Sequence, residues 1–184
     1  MAALFTFQNL VYFTVATWMP FLINDRGPGY VATTLLFLNF FPIVPLFALS
    51  FVRWQYALST TFYVVAGGIS ALGSLGLLLG LADLVRPLAF MVGLGTAAAF
   101  VASIALPPLI ADDESEASTY SALMYTAGYL LAFTGPITAG ILVDATGTIN
   151  SAFWPPLVGG ILMAVVGSLA PRLLTRSRAT AAAR

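Results

Sequence analysis

The chain contains no cysteine, no histidine and no lysine. Without thiols there is no disulfide, no thiolate nucleophile and no sulfur ligand for a metal. Without imidazole there is no base that titrates near neutrality, and without lysine no Schiff base. No cofactor and no metal is expected. Charge is scarce as well: seven Arg and seven acidic residues make up 8% of 184 residues and cancel to a net charge of zero. A soluble domain carries about 25% charged residues. The missing basic footprint argues against nucleic acid as a partner. What fills the chain is apolar, with 60% hydrophobic residues, 13% aromatic residues and a mean hydropathy of +0.97. Water is not the main solvent of such a surface, and the lipid bilayer is the expected partner.

The charged residues divide the chain into six apolar runs near 2–23, 30–52, 57–81, 87–110, 119–143 and 151–171, and none lies inside a run. Each run is long enough for a helix rising 1.5 Å per residue to cross a hydrocarbon core of about 30 Å. Membrane β-strands alternate apolar and polar positions over about ten residues. Phe40–Phe51 and Leu77–Leu79 show no such alternation. The fold class is therefore an all-α membrane protein with six transmembrane helices in one bundle over 1–171. The Arg/Ala-rich tail 172–184 has too few apolar residues to pack and is expected to be unstructured.

Six spans put both termini on one side. Arg53, Arg172, Arg176, Arg178 and Arg184 would share that side, against Arg26 and Arg86 opposite. The positive-inside rule then places both termini in the cytoplasm of a bacterial-type plasma (inner) membrane. Trp18 and Trp154 fall near the outer interface and Trp54 near the inner one, where amphipathic rings collect. The acidic loop Asp112, Asp113, Glu114 and Glu116 reads as a solvated connection. The first span starts almost at Met1 with no positive leader, as the interior of a longer protein would.

Polar residues inside hydrocarbon are costly and tend to face protein. Gln8, Asn9 and Tyr12 share one side of the first span, Asn39 stands in the middle of the second, and Ser121, Tyr125 and Tyr129 repeat every four residues in the fifth. They either line a water-accessible cavity or tie neighbouring helices together. Pro42 and Pro45 in the second span and Gly135 and Pro136 in the fifth mark candidate kinks or hinges. If the chain is two three-helix repeats, these are corresponding spans, and matched interruptions point to a transport site. Small residues mark close packing: Gly95, Ala99 and Ser103; Ala66, Ser70 and Ser74; and the pair Gly76 and Gly80.

Phe7-Gln8-Asn9-Leu10, with Tyr12-Phe13 and Trp18-Met19-Pro20, resembles the seventh transmembrane helix of major facilitator superfamily transporters, in the cyanate and 2-nitroimidazole branch. Ser121 to Tyr129, Gly135-Pro136, Gly140 and Asp144-Ala145-Thr146-Gly147 resemble the eleventh helix and the loop after it. Gly93-Leu94-Gly95 resembles the tenth. The position of Tyr125 more often holds Gln in that branch, and an Arg-containing loop more often stands where Asp112–Glu116 do here. The resemblance implies two three-helix inverted repeats forming the C-terminal half of a twelve-helix alternating-access carrier. It implies that Gln8, Asn9 and Tyr12 lie near a small-molecule solute, with Tyr125 and Tyr129 close by. The partner would be an N-terminal six-helix half or a second copy of this chain.

Two other readings remain at this level: a self-assembling six-helix channel and an inactive transporter fragment. An enzyme is not expected. Ser–His chemistry needs a histidine, and intramembrane aspartyl chemistry needs paired aspartates within the spans.

Overall fold

The computed structural model describes residues 1–50 and 59–182. They form eight helices: α1 (Ala2–Leu22), α2 (Pro28–Asn39), α3 (Ile43–Ser50), α4 (Thr60–Leu78), α5 (Val85–Ile110), α6 (Glu114–Ala132), α7 (Thr134–Thr146) and α8 (Trp154–Ala182). There is no strand among the described residues. Arg53, Trp54, Arg184 and the junction of the second and third spans lie outside the described residues.

Five segments are long and apolar enough to cross a membrane: Pro28–Phe47, Thr60–Leu78, Ala82–Ile110, Glu114–Thr146 and Ile149–Leu169. α1 is the sixth expected span. It carries no charge, but Gln8 and Asn9 lower its mean hydropathy. Leu4, Phe5, Val11, Val15 and Met19 along it are fully buried, so protein and not lipid surrounds much of this helix. Elsewhere large apolar side chains point outward, among them Leu72, Leu130 and Ile137. Such a surface suits hydrocarbon.

Two spans are broken. The second stops at Asn39 and restarts at Ile43, and the fifth divides at Phe133 into α6 and α7. Pro42 has no N–H to give the Leu38 carbonyl, and Pro136 has none for Ala132, so the helical ladder fails there. Pro45, Gly135 and Pro136 sit in the first turn of the helices that restart, where proline costs least. Thr134 Oγ1 donates to the Leu131 carbonyl at 2.7 Å and supplies a bond at the second break. Both broken spans are peripheral: 17% and 22% of their apolar windows are buried, against 50% and 56% for the segments of α4 and α5.

α4 packs between α5 and α8 through small residues. A Cβ on Gly95 would lie 2.3 Å from the Ala66 carbonyl oxygen and 2.2 Å from Ser70 Oγ. The two small-residue stripes of the third and fourth spans thus meet each other. Gly67 and Gly160 make the same close approach between α4 and α8. Gly80 departs from the packing role expected for it. With φ +69° it ends α4, the Gly80 N–H donating to the Leu77 carbonyl and the Leu81 N–H to the Gly76 carbonyl. That pair of bonds is a Schellman cap, which favours glycine because a left-handed residue strains any Cβ.

One end of the bundle gathers three connections. Arg26 lies 3.6 Å from Asp83, an exposed pair of little energetic weight. Asn150 Nδ2 donates to the Leu77 carbonyl at 3.0 Å, and Arg86 Nη2 donates to Thr33 Oγ1 at 2.9 Å. These contacts place residues 24–29, 80–86 and 147–153 on one face, as an alternating six-span topology requires. At the opposite face the acidic loop caps a helix. Asp113 Oδ1 accepts from the Glu116 N–H, and Glu116 Oε2 accepts from the Asp112 N–H, both at 2.8 Å. Carboxylates there also meet the positive end of the α6 dipole. α8 continues to Ala182, through most of the tail expected to be unstructured. Alanine and arginine are strong helix formers, so scarcity of apolar residues does not prevent the helix.

Candidate functional site

A cavity of about 280 Å³ opens between α1, α2, α5 and α6. α1 contributes Gln8, Asn9, Tyr12 and Phe13, and α2 contributes Leu38 and Asn39. α5 supplies Gly93, Thr96, Ala97 and Phe100, and α6 supplies Tyr129. Tyr12 is the middle residue of Ala2–Leu22 and Asn39 the middle residue of Pro28–Ser50, while Ala97 and Tyr129 are at or beside the middle of their spans. The cavity therefore lies halfway through the bundle.

Five of the seven polar residues singled out in the sequence come together here: Gln8, Asn9, Tyr12, Asn39 and Tyr129. Ser121 is not among the lining residues and donates its Oγ to the Ala117 carbonyl at 2.8 Å. Tyr125 does not line the cavity. Its ring packs edge-on against Phe5 at 5.2 Å and stacks on Tyr129, one turn away, which meets Phe5 at 5.1 Å. Four residues rise about 6 Å along a helix, which carries Tyr125 past the end of the cavity and onto Phe5. α6 reaches Phe5 because residue 128 is glycine, where a Cβ would lie 2.4 Å from the ring.

Most of the polar groups are tied to the protein. The Tyr12 hydroxyl donates to Asn39 Oδ1 at 2.6 Å, and Asn39 Nδ2 donates to the Leu35 carbonyl at 2.8 Å. Asn9 Nδ2 bonds to the Phe5 carbonyl and Thr96 Oγ1 to the Val92 carbonyl, each at 2.8 Å. Gln8 is only 2% exposed, and its Nε2 has no acceptor in the protein. No charged residue lines the cavity. Phe13, Phe100 and Tyr129 make its walls aromatic.

The broken second span forms one edge. Gly93 lies against it so closely that a Cβ would come 2.0 Å from the Leu38 carbonyl oxygen and 2.8 Å from Pro42 Cγ. At the other break, a Cβ on Gly135 would come 2.3 Å from Thr14 Oγ1. Trp18, expected in an interfacial belt, is half-buried and donates its Nε1–H to the Pro136 carbonyl at 3.1 Å, whereas Trp154 is exposed. Each break is therefore held by a helix of the bundle interior: the first by α5, the second by α1.

Sequence reasoning did not single out Thr96, Phe13 or Phe100. An isolated threonine in an apolar helix reads as packing, and phenylalanine is frequent throughout the chain. Comparison with known protein families, curated proteins and solved structures gave no match. The arrangement offers amide and phenol groups in an aromatic, uncharged cavity, which can bind and orient a solute.

Proposed function

We propose that the chain moves a small solute across a membrane by alternating access, acting as the C-terminal six-helix half of a major facilitator-type carrier. The observation that supports this reading most is the midplane cavity bordered by a broken span. Polar groups at that depth are costly in lipid and useful around a solute. The two peripheral broken spans can rearrange with less loss of packing than α4 or α5. In this reading both termini are cytoplasmic in a bacterial-type inner membrane, and a second six-helix body closes the open side of the cavity. The solute is a small organic molecule or an inorganic-anion-like species, bound and released unchanged.

The chain has no cysteine, so a single engineered thiol reports one position. Ala97→Cys places it on the cavity wall. A membrane-impermeant maleimide is expected to label it both in right-side-out and in inverted vesicles, with no steady conductance in planar bilayers. Labelling from neither face removes the transport pathway. A steady single-channel current makes the protein a pore.

A further inference from the structure

We propose that the end of the bundle carrying residues 24–29 and 80–86 binds the phosphate of a membrane lipid headgroup, through Arg26 and Arg86 gathered at Tyr30. This site stands apart from the midplane cavity and needs no transport. Arg86 places its guanidinium 4.1 Å from the centre of the Tyr30 ring, and Arg26 places its own at 5.1 Å. The two cations are therefore no more than about 9 Å apart, so one phosphate can come within reach of both. Arg26 Nη1 also donates to the Tyr30 hydroxyl at 3.1 Å, and Arg86 Nη2 to Thr33 Oγ1 at 2.9 Å. Neither bond neutralises a charge. Like charges held this close repel, and an anion between them replaces repulsion with attraction. Arg86 Nη1 has no partner among the described residues, and unlike Nε it is not buried. A planar guanidinium with open N–H groups suits phosphate oxygens.

Two carboxylates lie near. Asp83 faces Arg26 across 3.6 Å from a fully exposed position, where water screens most of the attraction. Asp25 precedes Arg26 and lines with it a recess of about 130 Å³ whose walls are otherwise mostly apolar. Among the described residues no carboxylate lies within 4 Å of the Arg86 guanidinium, so its charge remains for a ligand. The surroundings favour lipid over phosphate dissolved in water. Phe21, Leu79, Leu81 and Leu84 are exposed at this same end, in the connections or beside them, where contact with water alone is unfavourable. Trp154 is exposed there too, as an aromatic ring at a membrane interface would be. Apolar side chains against acyl chains, with arginines at headgroup depth beside them, match a phospholipid at both of its levels.

The test follows thermal unfolding of the full chain in dodecyl maltoside, a detergent without phosphate, as lipid is added. Dioleoylphosphatidylglycerol is expected to raise the midpoint saturably, as a ligand of the folded state does. A glucosyl diacylglycerol with the same acyl chains, or inorganic phosphate at the same concentration, is expected to raise it far less. Arg86→Gln lowers the starting midpoint by losing its stack on Tyr30, so the readout is the lipid concentration that gives half the shift. That concentration should rise about three- to tenfold in Arg86→Gln and in Arg26→Gln. Asp83→Asn, at a fully exposed position, frees Arg26 and should lower it. Arg178→Gln, far along α8, should leave it unchanged. Arg26 and Asp83 are exposed, so their variants test the site even where Arg86→Gln does not fold. An equal shift with the glucosyl lipid or with inorganic phosphate overturns the assignment to a lipid phosphate. So does a half-shift concentration that Arg26→Gln and Asp83→Asn leave unaltered. An equal rise in Arg178→Gln would reduce the effect to net charge and overturn it as well.

Discussion

The Tyr12 hydroxyl reaches Asn39 across 2.6 Å, joining the middle of α1 to the last residue of α2 where the second span breaks. Asn39 also holds the Leu35 carbonyl through its Nδ2. One amide therefore couples a cavity wall to the end of a helix. Tyr12→Phe keeps the ring and removes the donor, a loss of about 0.5–1.5 kcal/mol. Beyond the break, the N–H groups of Ile43 and Val44 bond to Phe40 and Phe41. Their hydrogen exchange is expected to accelerate several-fold in the variant. Unchanged exchange at Ile43 and Val44 would show that the break is held without this bond.

Gly93 is expected to resist even the smallest side chain. Its Cβ would meet a carbonyl oxygen at 2.0 Å, and backbone cannot swing aside as a flexible side chain can. Gly93→Ala should lower stability by about 1–3 kcal/mol, the usual range for overpacking. Gly68 on α4 serves as the control, since nothing lies within 4 Å of a Cβ there. Gly68→Ala should be neutral or stabilising by up to about 1 kcal/mol, through helix propensity. Thermal unfolding of both variants in one detergent decides the matter, and equal midpoints would contradict the close contact.

Arg86 stacks its guanidinium 4.1 Å from the centre of the Tyr30 ring while bonding Thr33, and so fastens the start of α5 to α2. Arg86→Lys keeps the charge but loses the planar fork and the stacking. A lowered unfolding midpoint is expected, corresponding to about 0.5–1 kcal/mol. A midpoint equal to the wild type would show that charge alone suffices at this position.

Asp113 caps α6 and is expected to matter for that helix alone. Asp113→Ala should cost about 1 kcal/mol and speed exchange of the N–H of Glu116. Asp113→Asn keeps a capping oxygen and should restore most of the loss. Indifference of Glu116 exchange to both changes would leave the acidic loop without a structural role.

The hydropathy pattern made the spans legible because charge is so scarce that every charged residue marks an end. Proline made the breaks legible at Pro42 and Pro136, although Pro20, Pro107 and Pro108 stand inside α1 and α5 without dividing them. Gln8, Asn9, Tyr12 and Asn39 could be picked out because amides and phenols are conspicuous among aliphatic neighbours. Thr96 could not, as its hydroxyl bonds within its own helix and nothing in the sequence tells which way α5 turns. Tyr125 shows the limit of a periodic argument, which finds the face a residue shares but not whether the cavity extends far enough along the helix to reach it. Gly80 shows another, because a glycine spaced for packing can equally end a helix. Only the backbone angle separates the two roles.

The closeness of Gly93 to the break in the second span also bears on how the protein is made. α2 and α3 emerge from the ribosome and enter the bilayer before α5 has been translated. During that interval the proline break has no glycine surface to rest on. Until then, of the contacts described at this break, only the Tyr12–Asn39 bond comes from a segment already made. Stalling synthesis between these two segments would hold a span that is inserted but not yet shaped.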